Sequence, residues 1–216
     1  MTGGNLENTG NKINYQRELE KTIKIWSEEN KLPTILLHCC CAPCSSYCME
    51  YLSRYSLITA FYYNPNITDT AEYNHRAAEL ERLINEMPME HKPAFINADY
   101  EPDAFYAMSR GLEQVPEGGV RCFGCYRLRL EKTAQFAALN GYDYFTTTLT
   151  ISPLKNAQVL NQIGLELGEK YGVKYLTSDF KKNNGYKRSI ELSQQYGLYR
   201  QNYCGCGFSK RNETQQ

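Results

Sequence analysis

The residues of this chain most able to do chemistry are its nine cysteines, which fall into three groups. The first group lies at residues 39–48, the second is Cys122-x-x-Cys125, and the third is Cys204-x-Cys206. Long cysteine-free segments separate the groups, as is typical of thiols that a fold gathers around a metal or redox centre. Because the number is odd and the N-terminal residues MTGGNLENTGNKINYQRELE lack the apolar segment of a signal peptide, a framework of structural disulfides is the weaker interpretation.

The first two groups have the spacing of metal ligands. Cys122 and Cys125 lie about one turn apart at the start of a predicted helix, where the helix dipole lowers thiol pKa. Residues 40–44 (CCAPC) supply further thiols from a loop. Two such pairs give four sulfur ligands, which suit zinc or an iron–sulfur cluster, and the number of ligands does not separate these two. Cys39 and Cys48 are interpreted as small buried hydrophobic residues.

The third group suggests redox chemistry. A disulfide between Cys204 and Cys206 would close a small strained ring, and strained disulfides tend to be labile or catalytic. Gly205 lets the backbone bend that tightly. A second pair of metal ligands is the alternative. His38, beside the first group, is expected to donate a hydrogen bond to a ligand and not to bind the metal itself.

The elements that must position these thiols alternate between strands and helices, which predicts an α/β fold with a mostly parallel sheet flanked by helices. Ligands of such sheets bind beyond the carboxyl ends of the strands, and the first cysteine group directly follows the first strand. Strands are predicted at 34–37, 57–63, 93–98, 144–149 and 174–176, and helices at 14–30, 45–55, 71–87, 102–110, 121–139, 156–171 and 189–196.

Composition narrows the class of protein. The formal net charge is zero, so attraction of the whole surface to nucleic acid is not predicted. Basic and aromatic residues alternate between Lys181 and Tyr203, which suits phosphate contact and base stacking, or equally a solvated helix face with core tyrosines. The chain contains neither a P-loop nor a G-x-G-x-x-G motif.

The expected organisation is simple. We predict a polar tail and an N-terminal helix at residues 1–30, a single α/β catalytic domain at 31–209, and a C-terminal tail at 210–216. No apolar run approaches the roughly 18–20 residues of a membrane span, so the cytoplasm is the expected location.

Six segments of the chain carry a family resemblance: LLHCCCAPCSS, FYYNPNI with the following EYNHR, RCFGCYRLRLEKTA, DYFTTTLTISPLKN, SDFKKNNGYKRSIELS and LYRQNYCGC. Together they resemble the QueH-type epoxyqueuosine reductases, and the similarity extends over residues 35–209. The resemblance implies a fold similar to the nucleotide α-hydrolase-like (HUP or Rossmann-like) proteins. It also implies a cobalamin-independent enzyme with a [4Fe-4S] cluster, which removes the epoxide oxygen from epoxyqueuosine at the wobble position of tRNA.

The resemblance also assigns roles to individual cysteines. Cys204 and Cys206 would be the redox-active pair. Cys39 is an alternative for one cluster ligand, because three consecutive cysteines stand where the family pattern needs two. Cys44 is a possible ligand of an additional mononuclear metal ion. The implied cluster ligands are Cys40, Cys41, Cys122 and Cys125.

The hypothesis for the mechanism follows from the reaction. Converting an epoxide to an alkene and water takes two electrons and two protons, so the dithiol would supply the electron pair and an unidentified donor would restore it. Asp179 is the candidate general acid, and a helix cap is its alternative role. Two other functions are considered: a zinc-stabilised RNA-binding protein without redox chemistry, and an iron–sulfur electron carrier or tRNA sulfur-transfer enzyme.

Overall fold

The computed structural model describes residues 13–209, so most of the predicted N-terminal tail and all of the predicted tail at 210–216 lie outside the described residues. Five strands and seven helices alternate along this part of the chain. The strands are β1 (Thr34–His38), β2 (Leu57–Tyr62), β3 (Ala94–Asn97), β4 (Tyr144–Thr147) and β5 (Lys174–Tyr175). The helices are α1 (Tyr15–Glu28), α2 (Ala42–Leu52), α3 (Thr70–Glu86), α4 (Pro102–Ser109), α5 (Val120–Leu139), α6 (Ala157–Tyr171) and α7 (Gly185–Gln195).

The strands form one sheet in the order β3-β2-β1-β4-β5, and every pair is parallel. This confirms the predicted α/β class. The chain moves outward from β1 to β2 and β3, then returns to the other side of β1 with β4. The direction of strand order therefore reverses between β1 and β4, and a crevice at the carboxyl ends of these two strands is where such folds bind ligands.

Alternating side chains of the strands fill two cores, one on each face of the sheet. Ile35 and Leu37 of β1 belong to the first core, which helices α1, α2, α3 and α7 cover. Leu36 and Phe145 belong to the second core, which α5 and α6 cover. The cysteine-bearing helices α2 and α5 are thus held on opposite faces of the sheet, and both begin at its carboxyl edge.

Several element boundaries differ from the sequence-based expectation, and three of them bear on the cysteine groups or the segments beside them. Strand β4 ends at Thr147, because the Thr147 hydroxyl accepts a hydrogen bond from Leu149 N (3.1 Å) and starts a 3₁₀ turn over Thr148–Ile151. Helix α2 begins at Ala42, directly after the cysteine pair. Helix α7 begins at Gly185, where a Cβ would lie 2.0 Å from the Phe180 carbonyl oxygen, so only glycine fits.

No helix within residues 13–209 combines the length and the apolar character that crossing a membrane requires.

Candidate active site

The first cysteine group lies where β1 gives way to α2. Cys39 N extends the parallel ladder by donating to Phe61 O (2.9 Å), and the Cys39 side chain is fully buried in the first core. Burial raises its pKa, and its thiol donates to Leu37 O (3.3 Å). Cys48, also fully buried, donates to Cys44 O (3.3 Å). Both residues therefore occupy the places of small core side chains.

Cys40, Cys41 and Cys44 form the tightest group of possible metal ligands, with all three sulfur atoms within 4.8 Å of one another. Cys41 is the N-cap of α2, and Cys44 lies in its first turn. No side chain caps this helix end, so its free N–H groups and dipole favour negative charge at the thiols. The start of α2 is therefore suited to thiolates.

The pKa values of the three thiols are shifted in different directions. Hydrogen bonds from the thiols of Cys41 and Cys44 hold the pKa of Cys40 well below its usual value, although burial opposes this. Donating to Cys40 raises the pKa of Cys41 to about 12 and raises the pKa of Cys44 as well. Thr148 Oγ1 adds a contact to Cys40 Sγ at 3.7 Å. Negative charge in this group is therefore favoured at Cys40 over Cys41 and Cys44.

His38 does not contact these thiols through hydrogen bonds. Burial and then the nearby Arg129 guanidinium lower the pKa of His38 to about 3, so the ring is neutral. Nε2 lies 3.1 Å from Tyr63 O, which only accepts, so Nε2 carries the proton and Nδ1 accepts from the Thr147 hydroxyl (2.8 Å). His38 therefore ties β1 to its neighbours, and its proton goes to a backbone carbonyl instead of the expected metal ligand.

The second group lies at the start of α5. Cys122, in its first turn, accepts a hydrogen bond from Gly118 N (3.3 Å). Cys125, one turn later, is buried beside Phe105 and Cys206, and burial raises its pKa to about 11. Within residues 13–209 these two thiols do not join the compact group of Cys40, Cys41 and Cys44. The four expected cluster ligands therefore lie on two separate helix starts.

The third group returns to the same edge of the sheet and is held by backbone contacts. The carbonyl of Cys204 accepts from Arg76 Nη1 (3.3 Å), and the carbonyl of Gly205 accepts from Thr68 N (3.2 Å). Gly205 has φ +98°, and a Cβ there would lie 2.8 Å from Ile67 Cγ1, so glycine is required. All nine cysteines lie in the described residues and are free thiols.

One buried cation, Arg129, and one partly buried cation, Lys155, connect the three groups. Burial alone would lower the pKa of Arg129, but the thiols of Cys125, Cys204 and Cys40 raise it overall. Arg129 is 1% exposed, and its Nη2 has no hydrogen-bond partner. Lys155, from the loop before α6, places its Nζ 3.5 Å from Cys204 Sγ. Each cysteine group thus meets a cation that other residues do not neutralise.

These residues line a cleft of about 330 Å³ at the carboxyl ends of β1 and β4. Cys40, Cys44 and Cys204 face this cleft, whereas Cys122, Cys125 and Cys206 line an adjoining smaller cavity. Arg129, Lys155 and Cys204 line both spaces. All three cysteine groups therefore meet at one place, on the two sides of the Arg129–Lys155 pair.

Asp179 is not part of this cleft. Its carboxylate forms an ion pair with Lys181 (2.5 Å), and it lines a neighbouring cleft that also contains Lys182. A general-acid role for Asp179 in the cysteine cleft therefore has no geometric support. Lys155, in contrast to Asp179, lines both clefts, and its Nζ lies 3.5 Å from Cys204 Sγ.

The basic and aromatic segment near the end of the chain is divided between two environments. Arg188 pairs with Glu50 (2.6 Å), and Tyr196 packs against the first core. Tyr186, Arg200 and Tyr203 instead line the cysteine cleft. The segment is thus partly structural, and only its cleft-lining members are placed to meet a bound molecule.

Sequence reasoning did not identify Arg129 or Lys155, although both lie in segments that carry the family resemblance. The sequence signal for Arg129 was weak, because an additional arginine in the segment RCFGCYRLRLEK is typical of a solvent-exposed helix face. Only the phase of α5 shows that Arg129 lies one helical turn after Cys125, where its Nε donates to Cys125 O (3.2 Å). Converging thiols and unpaired cations at the switch point of an α/β sheet are typical of an enzyme active site.

Comparison with known proteins agrees with this class. A sequence model of the family described as "Epoxyqueuosine reductase QueH" matches residues 35–212. A protein of that name from Streptococcus pyogenes is 46% identical over 94% of this chain and 81% of its own length. Relatives of the same name from Staphylococcus epidermidis (46%, covering 92% and 85%) and Thermotoga maritima (36%, covering 82% and 90%) are also similar. The chain belongs to the QueH family of epoxyqueuosine reductases and is an oxidoreductase of queuosine biosynthesis.

Proposed function

We propose that this chain reduces epoxyqueuosine to queuosine within tRNA, using a thiolate-bound [4Fe-4S] cluster together with the Cys204/Cys206 dithiol. The family gives the reaction. The cofactor and the redox pair are inferred from the chemistry of the cleft. No cobalamin is needed in this scheme, because the dithiol stores the electron pair.

The observation that carries the proposal is the charge imbalance of the cleft. In the described part of the chain, neither Arg129 nor Lys155 forms an ion pair with a carboxylate, although both are largely enclosed. An uncompensated buried cation costs several kcal/mol. Glu117 lines the same two spaces but forms no ion pair with either cation in the described residues. The thiols of Cys125, Cys204 and Cys40 are the groups that raise the pKa of Arg129. Thiolates, or a metal group held by thiolates, would therefore stabilise the folded protein.

The donor set fits an iron–sulfur cluster. Thiolate ligands select iron–sulfur clusters, zinc or copper(I), and not the hard cations magnesium or calcium. Cys40, Cys41, Cys122 and Cys125 would hold the cluster. Cys44, whose sulfur lies within 4.8 Å of those of Cys40 and Cys41, would bind an additional mononuclear metal ion. Such a group would supply single-electron transfer and Lewis acidity toward the epoxide oxygen.

The protein's own residues would hold the substrate against the thiols. Tyr186 and Tyr203 line the cleft and would pack against the base, while Arg200 would contact the backbone of the RNA. Lys181 and Lys182 in the neighbouring cleft would contact adjacent phosphates. A base turned out of the anticodon loop would thus reach Cys204 with its phosphates outside.

The test is anaerobic incubation of the purified, iron-loaded protein with tRNA that carries epoxyqueuosine and with a low-molecular-weight dithiol as reductant. Nucleoside mass spectrometry should show the loss of one oxygen atom from the modified nucleoside, and the protein should contain iron and sulfide. A colourless zinc protein that binds the tRNA without changing the nucleoside would contradict the proposal and favour an RNA-binding role.

A further inference from the structure

We propose that the side-chain amides of Asn66 and Gln201 hold the hydroxylated five-membered ring of the substrate by accepting hydrogen bonds from its two hydroxyl groups. The role rests on the proposed function and extends it to the part of the modified nucleoside that the cleft recognises. The thiol chemistry described above uses neither amide.

Both amides carry an oxygen that lacks a donor in the folded chain. Asn66 is 1% exposed, and neither its Oδ1 nor Gln201 Oε1 accepts a hydrogen bond from the described residues. Both side chains line the cysteine cleft. An enclosed amide oxygen without a donor makes the folded protein less stable, so such groups are rare and indicate a missing partner. A donor bound in the cleft would supply that partner.

The position of Asn66 is fixed by the turn that follows β2. Ile67 N donates to Asn64 O (3.0 Å), which closes the turn around Asn66. One residue later, Thr68 N donates to Gly205 O (3.2 Å) and joins this turn to the third cysteine group. The Asn66 amide therefore keeps a fixed position relative to the redox pair, as a contact that orients a substrate requires.

Gln201 belongs to the segment between α7 and the third cysteine group, three residues before Cys204, and both residues line the cleft. Asn64 also lines the cleft, but its Nδ2 donates to Cys39 O (2.9 Å). Asn64 is therefore tied to the end of β1, and Asn66 and Gln201 are the amides that we assign to the ligand.

The chemistry of the substrate supplies matching donors. Its five-membered ring carries the epoxide on two carbons and a hydroxyl group on each of two further carbons beside it. An amide oxygen accepts readily from a hydroxyl group. In the proposed function Cys204 must come close to the epoxide, so the donors nearest to the reacting carbons are these two hydroxyl groups. Two amide oxygens thus meet two hydroxyl groups at the same end of the cleft.

Contacts at two points would stop the ring from rotating about its linker and would present the epoxide to the thiols in one orientation. The product, queuosine, keeps both hydroxyl groups. Its affinity therefore measures the proposed contacts without any turnover.

The test measures the binding of two anticodon stem-loops to the iron-loaded protein. One stem-loop carries queuosine, and the other carries 7-aminomethyl-7-deazaguanine, which keeps the base and an amine but lacks the hydroxylated ring. Asn66→Leu and Gln201→Met replace each amide by an apolar group of similar size. Asn66→Ala removes the amide without filling its space and repeats the measurement in case leucine is not accommodated.

Asn161→Leu is the matched control. Asn161 is also fully buried, but it lies outside the cleft and its amide is satisfied within the protein. Its Nδ2 donates to Ala157 O and Ser178 O (2.7 and 2.8 Å), and its Oδ1 accepts from Ser178 N (2.9 Å). Urea unfolding of the metal-free protein compares this residue with Asn66.

We expect the wild type to bind the queuosine stem-loop about 100-fold more tightly than the other, and each amide variant to reduce this preference about ten-fold. The unfolding midpoint should fall in Asn161→Leu but not in Asn66→Leu, because only the first change breaks hydrogen bonds.

Equal affinity of the wild type for the two stem-loops would overturn the whole assignment. An undiminished preference in both Asn66 variants, as expected if only a water molecule occupied the amide oxygen, would overturn the role of Asn66, and the same result in Gln201→Met would overturn that of Gln201. A lowered midpoint in Asn66→Leu would mean that the amide is satisfied within the protein. Binding needs no reduction, so a wild-type protein that leaves epoxyqueuosine unchanged refutes the proposed function while the preference for the ring is still measured.

Discussion

The charged groups at the two ends of the sheet differ in whether they have partners within the protein. At the amino ends, the Asp143 carboxylate accepts from both the backbone N and the hydroxyl of Thr34, each at 2.8 Å. The Thr34 hydroxyl in turn accepts from Asp143 N (3.0 Å), so β1 and β4 are tied together by satisfied groups. At the carboxyl ends, Arg129 and Lys155 face thiols with no carboxylate partner in the described residues. The polar groups at the amino ends are satisfied by hydrogen bonds within the protein. The cations at the carboxyl ends are not, and a bound anionic group would compensate their charge.

Size alone does not distinguish these ends. The cleft at the amino ends, lined by Trp26, Asp143 and Tyr144 among others, has a volume of about 580 Å³, compared with about 330 Å³ for the cysteine cleft. What distinguishes the smaller cleft is unpaired charge and convergent thiols, which cost stability unless a function requires them. Unpaired charged groups, and not cleft volume, therefore indicate which end of this sheet is the functional one.

The largest expected effect is the loss of the dithiol. Cys204→Ser should abolish turnover by a factor of more than about 1,000, because no electron pair can be released by disulfide formation, while the visible absorbance of the cluster remains. Single-turnover assays together with absorbance spectra check both statements. Turnover at the wild-type rate would remove the dithiol from the mechanism.

Loss of a ligand at the start of α2 should be nearly as damaging, but for a different reason. Cys40→Ser should lose most of the bound iron and most of the activity, because a thiolate ligand is replaced by a weak one. Cys48→Ala, in the α2 helix that follows Cys40, is the matched control: it should keep its iron and lose only about 1 kcal/mol of unfolding free energy through a small cavity. Iron analysis of both variants decides between these positions, and normal iron in Cys40→Ser would exclude it as a ligand.

Arg129 offers a prediction whose sign differs between the metal-free and metal-loaded protein. Arg129→Met should leave the metal-free protein as stable or make it more stable, because it removes a buried cation with an unpartnered Nη2. The same change should weaken iron retention and slow turnover about ten-fold or more, because the anionic centre loses its compensating charge. Unfolding with and without iron measures both effects.

The control for this prediction lies on the same helix. Arg127 pairs with Glu166 at the surface, so Arg127→Met should change neither iron retention nor turnover. If Arg129→Met behaved like Arg127→Met in the iron-loaded protein, the two ends of the sheet would not differ in the way described.

The order of strands and helices could be predicted because each element carries its own local pattern. Apolar runs such as Thr34–Leu37 and punctuation such as Asn64-Pro65-Asn66 mark strands and turns without any knowledge of their neighbours. Boundaries set by tertiary contacts could not be predicted. Helix α7 begins at Gly185 because that residue packs against the Phe180 carbonyl, a contact that no local pattern reveals.

The cysteines of the site could be predicted for a similar reason, since their spacing is visible in the sequence. Their grouping could not, because it depends on which helix starts the fold brings together. The spacing and the resemblance pair Cys40 and Cys41 with Cys122 and Cys125, whereas the folded chain places Cys44 nearest to the first pair. The two cations were missed because their position, not their residue type, makes them unusual: Arg129 is buried, and Lys155 is partly buried beside Cys204.

The smallest expected effect is that of a substitution at Asp143, at the amino ends of the strands, where the polar groups are hydrogen-bonded. Hydrogen bonds from the Thr34 backbone and then from its hydroxyl lower the pKa of Asp143, so its stabilising contribution is present above pH ~4 and is lost as the pH falls through the lower folded pKa. Asp143→Asn should therefore cost about 1 kcal/mol at neutral pH and show less of this acid-dependent loss. Urea unfolding at neutral and acidic pH measures the cost. Turnover and iron content should equal those of the wild type, and a change in either would mean that the amino ends of the strands take part in the chemistry after all.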